Sequence, residues 1–307
     1  MSYFKVLSAK LPCSIQELGR FGFGDIGVTQ SGVMDEEAFN YLNLLLQNSY
    51  NTNALEINYG NLELESFGSS IFCITGADVP IELNGKSLKS YTTYKIKKGD
   101  ILKIGFAKSG VRAYLGVKGG FIAQKELGSY SYSFREDIGG AILKEGDILK
   151  FNTFKDFNNI KKRELSRAFI PKIESLTTLR VVLGYQEDLF TKEQKELFFS
   201  SIYTITNQND RMGYRLDGNT ILPQKKGIIS EGVAFGSIQI TSNGEPIVLL
   251  KERQSIGGYP KIGSVIPTDC FKLSQLKQSQ KVKFEEISLD KALDITKKFY
   301  NFFIRHQ

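Results

Sequence analysis

The hexapeptide Lys98-Gly99-Asp100-Ile101-Leu102-Lys103 returns with one change as Glu145-Gly146-Asp147-Ile148-Leu149-Lys150 and is echoed by Ser279-Gln280-Lys281-Val282-Lys283-Phe284. Gly-Asp supplies a turn, and the alternating residues after it enter a strand. A chain that repeats this unit is committed to short β-strands. Further alternating or apolar runs lie at 4–7, 71–75, 94–97, 111–117, 179–183, 202–206, 238–240 and 247–250. Many short strands with turn signals at modest spacing predict barrels or sandwiches. Helices are few. Residues 35–47 place Ala38, Leu42, Leu45 and Leu46 on one face behind Asp35 as N-cap, and a second helix covers 191–199. A third, 289–304, follows Ser288 and aligns Leu289, Ala292, Leu293, Phe299 and Phe303. Its polar face carries both signs of charge, which marks a core-packing helix rather than a membrane-surface one.

At 307 residues the chain exceeds the usual size of a single core, so two domains are expected. The stretch 154–172 is polar and basic, and the break is placed there: an N-terminal β domain over 1–155, a linker over 156–175 and a C-terminal β-barrel domain over 176–307. With 22 Phe and 14 Tyr, material for packed interiors is ample. Three widely spaced cysteines, Cys13, Cys73 and Cys270, argue against a disulfide framework and for a reducing compartment. The start lacks a signal-peptide pattern and no run approaches the roughly 20 apolar residues of a membrane span, so a cytoplasmic protein is expected. The net charge of +7 comes from scattered lysines, which fits a solvated surface or attraction of small anions better than nucleic-acid binding.

The sole histidine is His306, the penultimate residue. A Ser-His-Asp or Cys-His mechanism needs an imidazole held rigidly by a third group, and a zinc site needs several Cys or His ligands at short spacing. Neither is available, so no metal is expected and proton transfer must use Asp, Glu, Lys, Tyr or water. Two motifs fail on context. Gly22-Phe23-Gly24-Asp25-Ile26-Gly27 matches G-x-G-x-x-G, but no buried strand precedes it and the helix begins only near Asp35. Asn84-Gly85-Lys86-Ser87 resembles the end of a phosphate-binding loop, yet Pro80 occupies the place of the required earlier glycine, and Asn-Gly between apolar runs reads as a hairpin turn.

The most informative stretch for function is 250–263. An apolar strand runs into Lys251, Glu252, Arg253 and Gln254; Gly257 and Gly258 then loosen the backbone before Tyr259-Pro260-Lys261. Such a bend at a strand end presents a binding or catalytic loop on a rigid scaffold. Arg253, Lys261, Tyr259 and Glu252 are the catalytic candidates. Arg20, Arg211, Arg215, Gln239, Gln254, Gly257 and Gly258 are candidates for holding a substrate, since arginine's planar fork suits carboxylate or phosphate oxygens. Tyr259 and Lys261 are suited to donate to an amide carbonyl or a developing oxyanion. Glu231 is a further candidate base, and Ser237 a weaker candidate.

Ordered motifs span nearly the whole chain: Gln16-Glu17-Leu18-Gly19-Arg20, the run Gly27 through Asp35, Ala54-Leu55-Glu56, Thr75-Gly76-Ala77-Asp78, Arg112-Ala113-Tyr114-Leu115, Leu127-Gly128-Ser129, Asp210 through Leu216, Ser230-Glu231-Gly232-Val233, Gly236-Ser237-Ile238-Gln239, and Arg253-Gln254 through Gly263. On these the chain resembles the C-type component of bacterial 5-oxoprolinase, a family also known as allophanate hydrolase subunit 2-like or KipI antagonist, and as the A and B subdomains of the biotin-dependent carboxyltransferase of urea carboxylase. The resemblance implies a mainly β fold of two cyclophilin-like β-barrel domains with a few short helices and a C-terminal helix. It implies that the chain joins B-type (KipI-like) and A-type subunits to cleave 5-oxo-L-proline to L-glutamate, with ATP used by the complex. Two alternatives come with it: carboxyl transfer from biotin to urea or another amide, and non-catalytic antagonism of a kinase-inhibitor protein. The family's Asp before the Arg-Gln pair is Glu252 here, and its Thr-Thr before Gly-Gly is Ser255-Ile256.

Overall fold

The computed structural model describes residues 2–155 and 161–306. They form two compact units. The first comprises Met1–Arg20, Asp35–Lys172 and Phe302–Gln307, and the second Phe21–Met34 and Ile173–Asn301. Residues 21–34, which the sequence reading places in the N-terminal domain, therefore group with the second unit, and 302–307 with the first. Of the expected linker, 156–160 lie outside the described residues, 161–172 count with the first unit and 173–175 with the second.

The first unit holds two antiparallel sheets. One is built from β1 (Ser2–Ala9), β4 (Leu62–Ser66), β6 (Ile81–Leu83), β7 (Lys86–Leu88), β9 (Ile101–Ile104), β11 (Phe121–Ile122) and β12 (Ile148–Phe151), in the order β11-β12-β1-β4-β9-β6-β7. The other is built from β2 (Cys13–Gln16), β3 (Ala54–Asn58), β5 (Ser70–Asp78), β8 (Tyr94–Ile96) and β10 (Ser109–Val117), in the order β2-β3-β10-β5-β8. Phe4, Val6, Leu64, Leu102 and Phe151 of the first sheet share a core with Leu55, Ile57, Phe72, Ile74 and Leu115 of the second. Period-2 alternation sets which side chains enter it: Ile101 and Lys103 face out while Leu102 and Ile104 face in. Asn84 and Gly85 join β6 to β7 with φ of 51° and 77°, the paired left-handed values of a type I′ hairpin turn.

Helix α1 (Glu36–Leu46) begins where Asp35 accepts a hydrogen bond from the Ala38 amide at 3.0 Å. The cap is itself held: the Asp35 amide donates to the Tyr114 hydroxyl at 2.8 Å, and that hydroxyl donates to Glu56 Oε2 at 2.8 Å. Loss of such a cap costs about 1 kcal/mol, more where it is buried in a network.

The second unit closes a seven-stranded barrel from β13 (Leu176–Leu183), β14 (Ile202–Asn209), β15 (Gly213–Asp217), β17 (Ser237–Ile240), β18 (Pro246–Leu249), β20 (Lys261–Val265) and β21 (Lys281–Glu286), in the order β13-β20-β17-β18-β15-β14-β21. Every pairing is antiparallel except β13 with β21, which closes the ring in parallel. A two-stranded ribbon, β16 (Glu231–Gly232) with β19 (Ile256–Gly257), stands beside it. Helix α2 (Lys192–Ser200), capped by Thr191, buries Phe198 against Phe284 with ring centroids 4.4 Å apart. Helix α3 (Pro267–Ser274) has no counterpart in the sequence reading; Pro267 starts it, and it carries Asp269 onto Arg180 at 2.7 Å. Helix α4 (Leu289–His306) follows Ser288, whose hydroxyl accepts from the Lys291 amide at 3.3 Å. On it Ala292 and Phe303 are buried as expected, while Leu289 and Leu293 are exposed.

The three sequence echoes adopt one turn. The Gly99, Gly146 and Ser279 amides donate to the carbonyls of Ser66, Val6 and Ile205, whose own amides donate to the carbonyls of Asp100, Asp147 and Gln280, all at 2.7–2.9 Å. The following side chain closes each turn: Asp100, Asp147 and Gln280 accept from the Lys97, Lys144 and Lys277 amides at 2.8, 2.7 and 2.6 Å. Gly99, Gly146 and Ser279 all have positive φ.

All three cysteines are free and buried, and burial pushes the Cys13 thiol up to about 12. Among the described residues no group of His, Cys, Asp or Glu is arranged to hold a metal ion, and no helix is long and apolar enough to cross a membrane.

Candidate functional site

The bend read from the sequence folds as the β16–β19 ribbon of the second unit. Glu231 pairs with Gly257 and Gly232 with Ile256. Two further backbone bonds extend the ribbon, from Val233 to the Ser255 carbonyl at 3.1 Å and from Ile228 to the Gly258 carbonyl at 2.9 Å. Gly257 leaves room for a close approach. A methyl group there would overlap Gln239 Nε2, so the carboxamide of Gln239 rests directly on the glycine. Gln239 itself comes from β17, where it is the register partner of Lys261 on β20.

Lys261 directs its ammonium to Glu231 Oε1. The same oxygen accepts the Tyr185 hydroxyl and Gln186 Nε2, the latter at 2.7 Å. Gln186 also accepts the Lys261 amide through Oε1 at 2.8 Å, so one side chain fixes both members of the ion pair. Its own position is set by the turn after β13, in which the Gly184 amide donates to the Ile262 carbonyl at 3.1 Å and the Glu187 amide to the Gly184 carbonyl at 3.0 Å. Hydrogen bonds from Lys261 and then Tyr185 hold the Glu231 carboxyl below its ordinary range. The bond to Glu231 raises the Tyr185 phenol. The arrangement is thus an ionised carboxylate, one-third exposed, between a buried ammonium and an exposed, protonated phenol.

A second polar cluster lies deeper in the same unit. Arg211 Nε meets Glu252 Oε1 at 2.5 Å, and its Nη2 donates to Ser31 Oγ at 3.2 Å and to the Gly32 carbonyl at 2.6 Å. Ser31 donates to Glu252 Oε1 at 3.1 Å. This accounts for the grouping of residues 21–34 with the barrel unit. Arg253 turns its guanidinium onto backbone, with Nε to the Val233 carbonyl at 3.0 Å and Nη1 to the Leu250 carbonyl at 3.2 Å. Burial pulls its pKa down. Arg253 therefore braces the segment that follows Glu231.

Among the sequence candidates, the structure brings Lys261, Gln239, Gly257 and Glu231 together. Tyr259, Gln254 and Gly258 lie along the same bend, the first two exposed and Gly258 half-buried. Glu252 pairs with Arg211 rather than with Lys261. Arg215 pairs with Glu245 at 2.6 Å, and Arg20, in the first unit, donates to the Ser131 carbonyl at 2.5 Å. Ser237 accepts the Ala234 amide at 3.2 Å. Sequence reasoning missed Tyr185 and Gln186. The signal was present: Gly184-Tyr185-Gln186-Glu187 closes an apolar strand with polar side chains beside a glycine, the same logic that singled out 250–263. In the first unit a cleft of about 570 Å³ opens beside Lys125, Glu126, Tyr130 and Asp147; none of the candidate residues lines it.

Residues 26–286 match the family described as carboxyltransferase domain, subdomain A and B. The chain is 35% identical to the C-type component of the Haemophilus influenzae 5-oxoprolinase over 95% of its own length and 94% of that protein's. It is 30% identical to the corresponding component of the Escherichia coli 5-oxoprolinase, over 94% and 93%. The crystal structure of Kluyveromyces lactis urea carboxylase superposes on 99% of the chain with a TM-score of 0.91 and 25% identity; the chain spans 29% of that longer protein.

Proposed function

The chain belongs to the carboxyltransferase subdomain A and B family, and from that premise we propose that it serves within an ATP-dependent 5-oxoprolinase, cleaving 5-oxo-L-proline to L-glutamate together with B-type and A-type partner subunits. The observation that carries this reading is the 35% identity that runs along almost the full length of both chains. The site adds chemical sense. A lactam is an amide, and the Lys261 ammonium, which keeps protons beyond the one given to Glu231, supplies a donor for a carbonyl oxygen as it gains charge. Arg253, braced on backbone carbonyls, holds the ribbon that carries Glu231. Residues Asn84 to Ser87 form a hairpin turn and do not fit an ATP phosphate cradle. ATP is used by the complex.

The test is to co-produce the chain with its two partner subunits and measure ATP-dependent glutamate release. Lys261→Met is expected to lower turnover by about 100-fold, the usual cost of removing one donor to a developing oxyanion. Full activity in that variant would sink the site assignment, and no lactam cleavage by the assembled complex would sink the function.

The superposition on urea carboxylase favours a second reading, carboxyl transfer to urea or another amide. Biotin enters only there. The Glu231–Lys261 pair fits the adjacent N–H and C=O of its ureido ring, and bound biotin would carry the carboxyl group. A carboxybiotin-dependent transfer assay on the same complex separates the two.

A further inference from the structure

Glu231 places all of its internal hydrogen bonds on one oxygen. Lys261 Nζ, the Tyr185 hydroxyl and Gln186 Nε2 converge on Oε1, and Oε2 has no partner among the described residues. The side chain is 32% exposed, so that second oxygen has access to a ligand. Lys261 spends one proton on the pair, which leaves ammonium protons for another acceptor. Gln239 lies across Gly257 at the same ribbon; it is 7% exposed, and no internal hydrogen bond of its carboxamide is present among the described residues. Strands β16 and β20 thus set an acceptor and a donor side by side, both fixed by Gln186 of the turn after β13, with a second buried amide next to them.

We propose that this pair reads the edge of a cis amide: Glu231 Oε2 accepts the ligand N–H while Lys261 Nζ donates to the carbonyl oxygen beside it. The inference rests on the reading of the chain as part of an amide-handling enzyme and names the substrate class of that same site. The geometry follows from the ion pair. Because Nζ is bonded to Oε1, it lies next to the carboxylate, and a ligand that meets both Oε2 and Nζ must present N–H and C=O on one edge. A lactam ring, an imide and urea do so. An open-chain secondary amide is trans, with the two groups on opposite edges, and its cis form is disfavoured by roughly 50- to 100-fold. The two chemistries named for the relatives, those of 5-oxoprolinase and urea carboxylase, share this edge. The hydrogen-bonded Oε1 keeps the carboxylate ionised, so Glu231 acts as a fixed acceptor and positions the ligand rather than removing its proton.

The experiment is an equilibrium competition assay on the assembled complex with 5-oxo-L-proline and its lactone analogue, in which ring oxygen replaces N–H. Wild-type complex is expected to prefer the lactam by about 10- to 100-fold, the range for a hydrogen bond to a charged group. Glu231→Gln is expected to bring that preference close to unity, whatever its effect on the affinity the two ligands share through Lys261. A structural role alone would weaken both ligands equally. A wild-type preference near unity overturns the proposal without any variant, and a preference that survives in a folded Glu231→Gln complex overturns it also. Turnover assays keep the two claims apart. Cleavage of 5-oxoproline with no lactam preference leaves the function standing and removes this inference. Lactam preference without cleavage does the reverse.

Discussion

Arg211–Glu252 and Lys261–Glu231 are both cation–carboxylate pairs of the barrel unit, and residues 250–263 contribute to each, but they are built to opposite ends. In the first, the side chains are 7% and 4% exposed, and Ser31 and Gly32 take up further hydrogen-bonding capacity. In the second, Glu231 is one-third exposed and Tyr185 stands in solvent. The closed pair ties segment 21–34 to the barrel. The open pair leaves its carboxylate within reach of a ligand. Charge and residue type alone do not separate the two; what separates them is whether solvent can reach the carboxylate.

The largest expected effect tests the closed pair. Arg211→Ala strands the Glu252 carboxylate in a buried site, and the unit should lose about 4 kcal/mol of stability, read as a lowered urea midpoint. The matching change in the open pair should split the other way. Lys261→Met, with its about 100-fold loss of turnover, should cost clearly less stability than Arg211→Ala, because methionine fills the buried stem of Lys261 and the one-third exposed Glu231 carboxylate it leaves behind keeps access to water. Equal stability losses in the two variants would erase the contrast. Gly257→Ala should move Gln239 off the ribbon and cost about 1–3 kcal/mol by overpacking, with weakened substrate binding measured as a raised KM. The smallest effect is in pH. Glu231 has a depressed pKa, so its pair is intact above the ordinary carboxylate range near 4.3 and is lost only as pH falls below that, through the folded value. KM measured between pH 7 and 5 should therefore stay flat in wild type. A rise in that window would show that the carboxylate is not held as the hydrogen bonds imply.

What could be read from the sequence was local. Asp35 as a cap, the Asn84-Gly85 hairpin and the three turn-strand units are decided within a few residues, and each is present. Helix α3 escaped because only eight residues carry it, and its start at Pro267 follows a strand without a polar cap. On α4, periodicity placed Leu289 and Leu293 with Ala292 and Phe303, but a helix end has no obligation to bury every apolar position. The site was half legible. Lys261, Gly257 and Gln239 were visible as types at a strand end, whereas the convergence of Gln186 and Tyr185 on Glu231 depends on register across residues some 45 apart, which spacing does not encode. Arg253 shows the complementary difficulty: a guanidinium beside two glycines suggests an anion, yet its Nε and Nη1 are turned onto the Val233 and Leu250 carbonyls.

The turn at Lys277–Gln280 makes the same hydrogen bonds as those at Lys97–Asp100 and Lys144–Asp147 with a neutral amide where the other two have a carboxylate. The molecule thus supplies its own precedent for exchanging acid for amide at Asp100 and Asp147. Negative charge at those two corners is left as a free variable, available for tuning surface potential without redrawing the strands behind them.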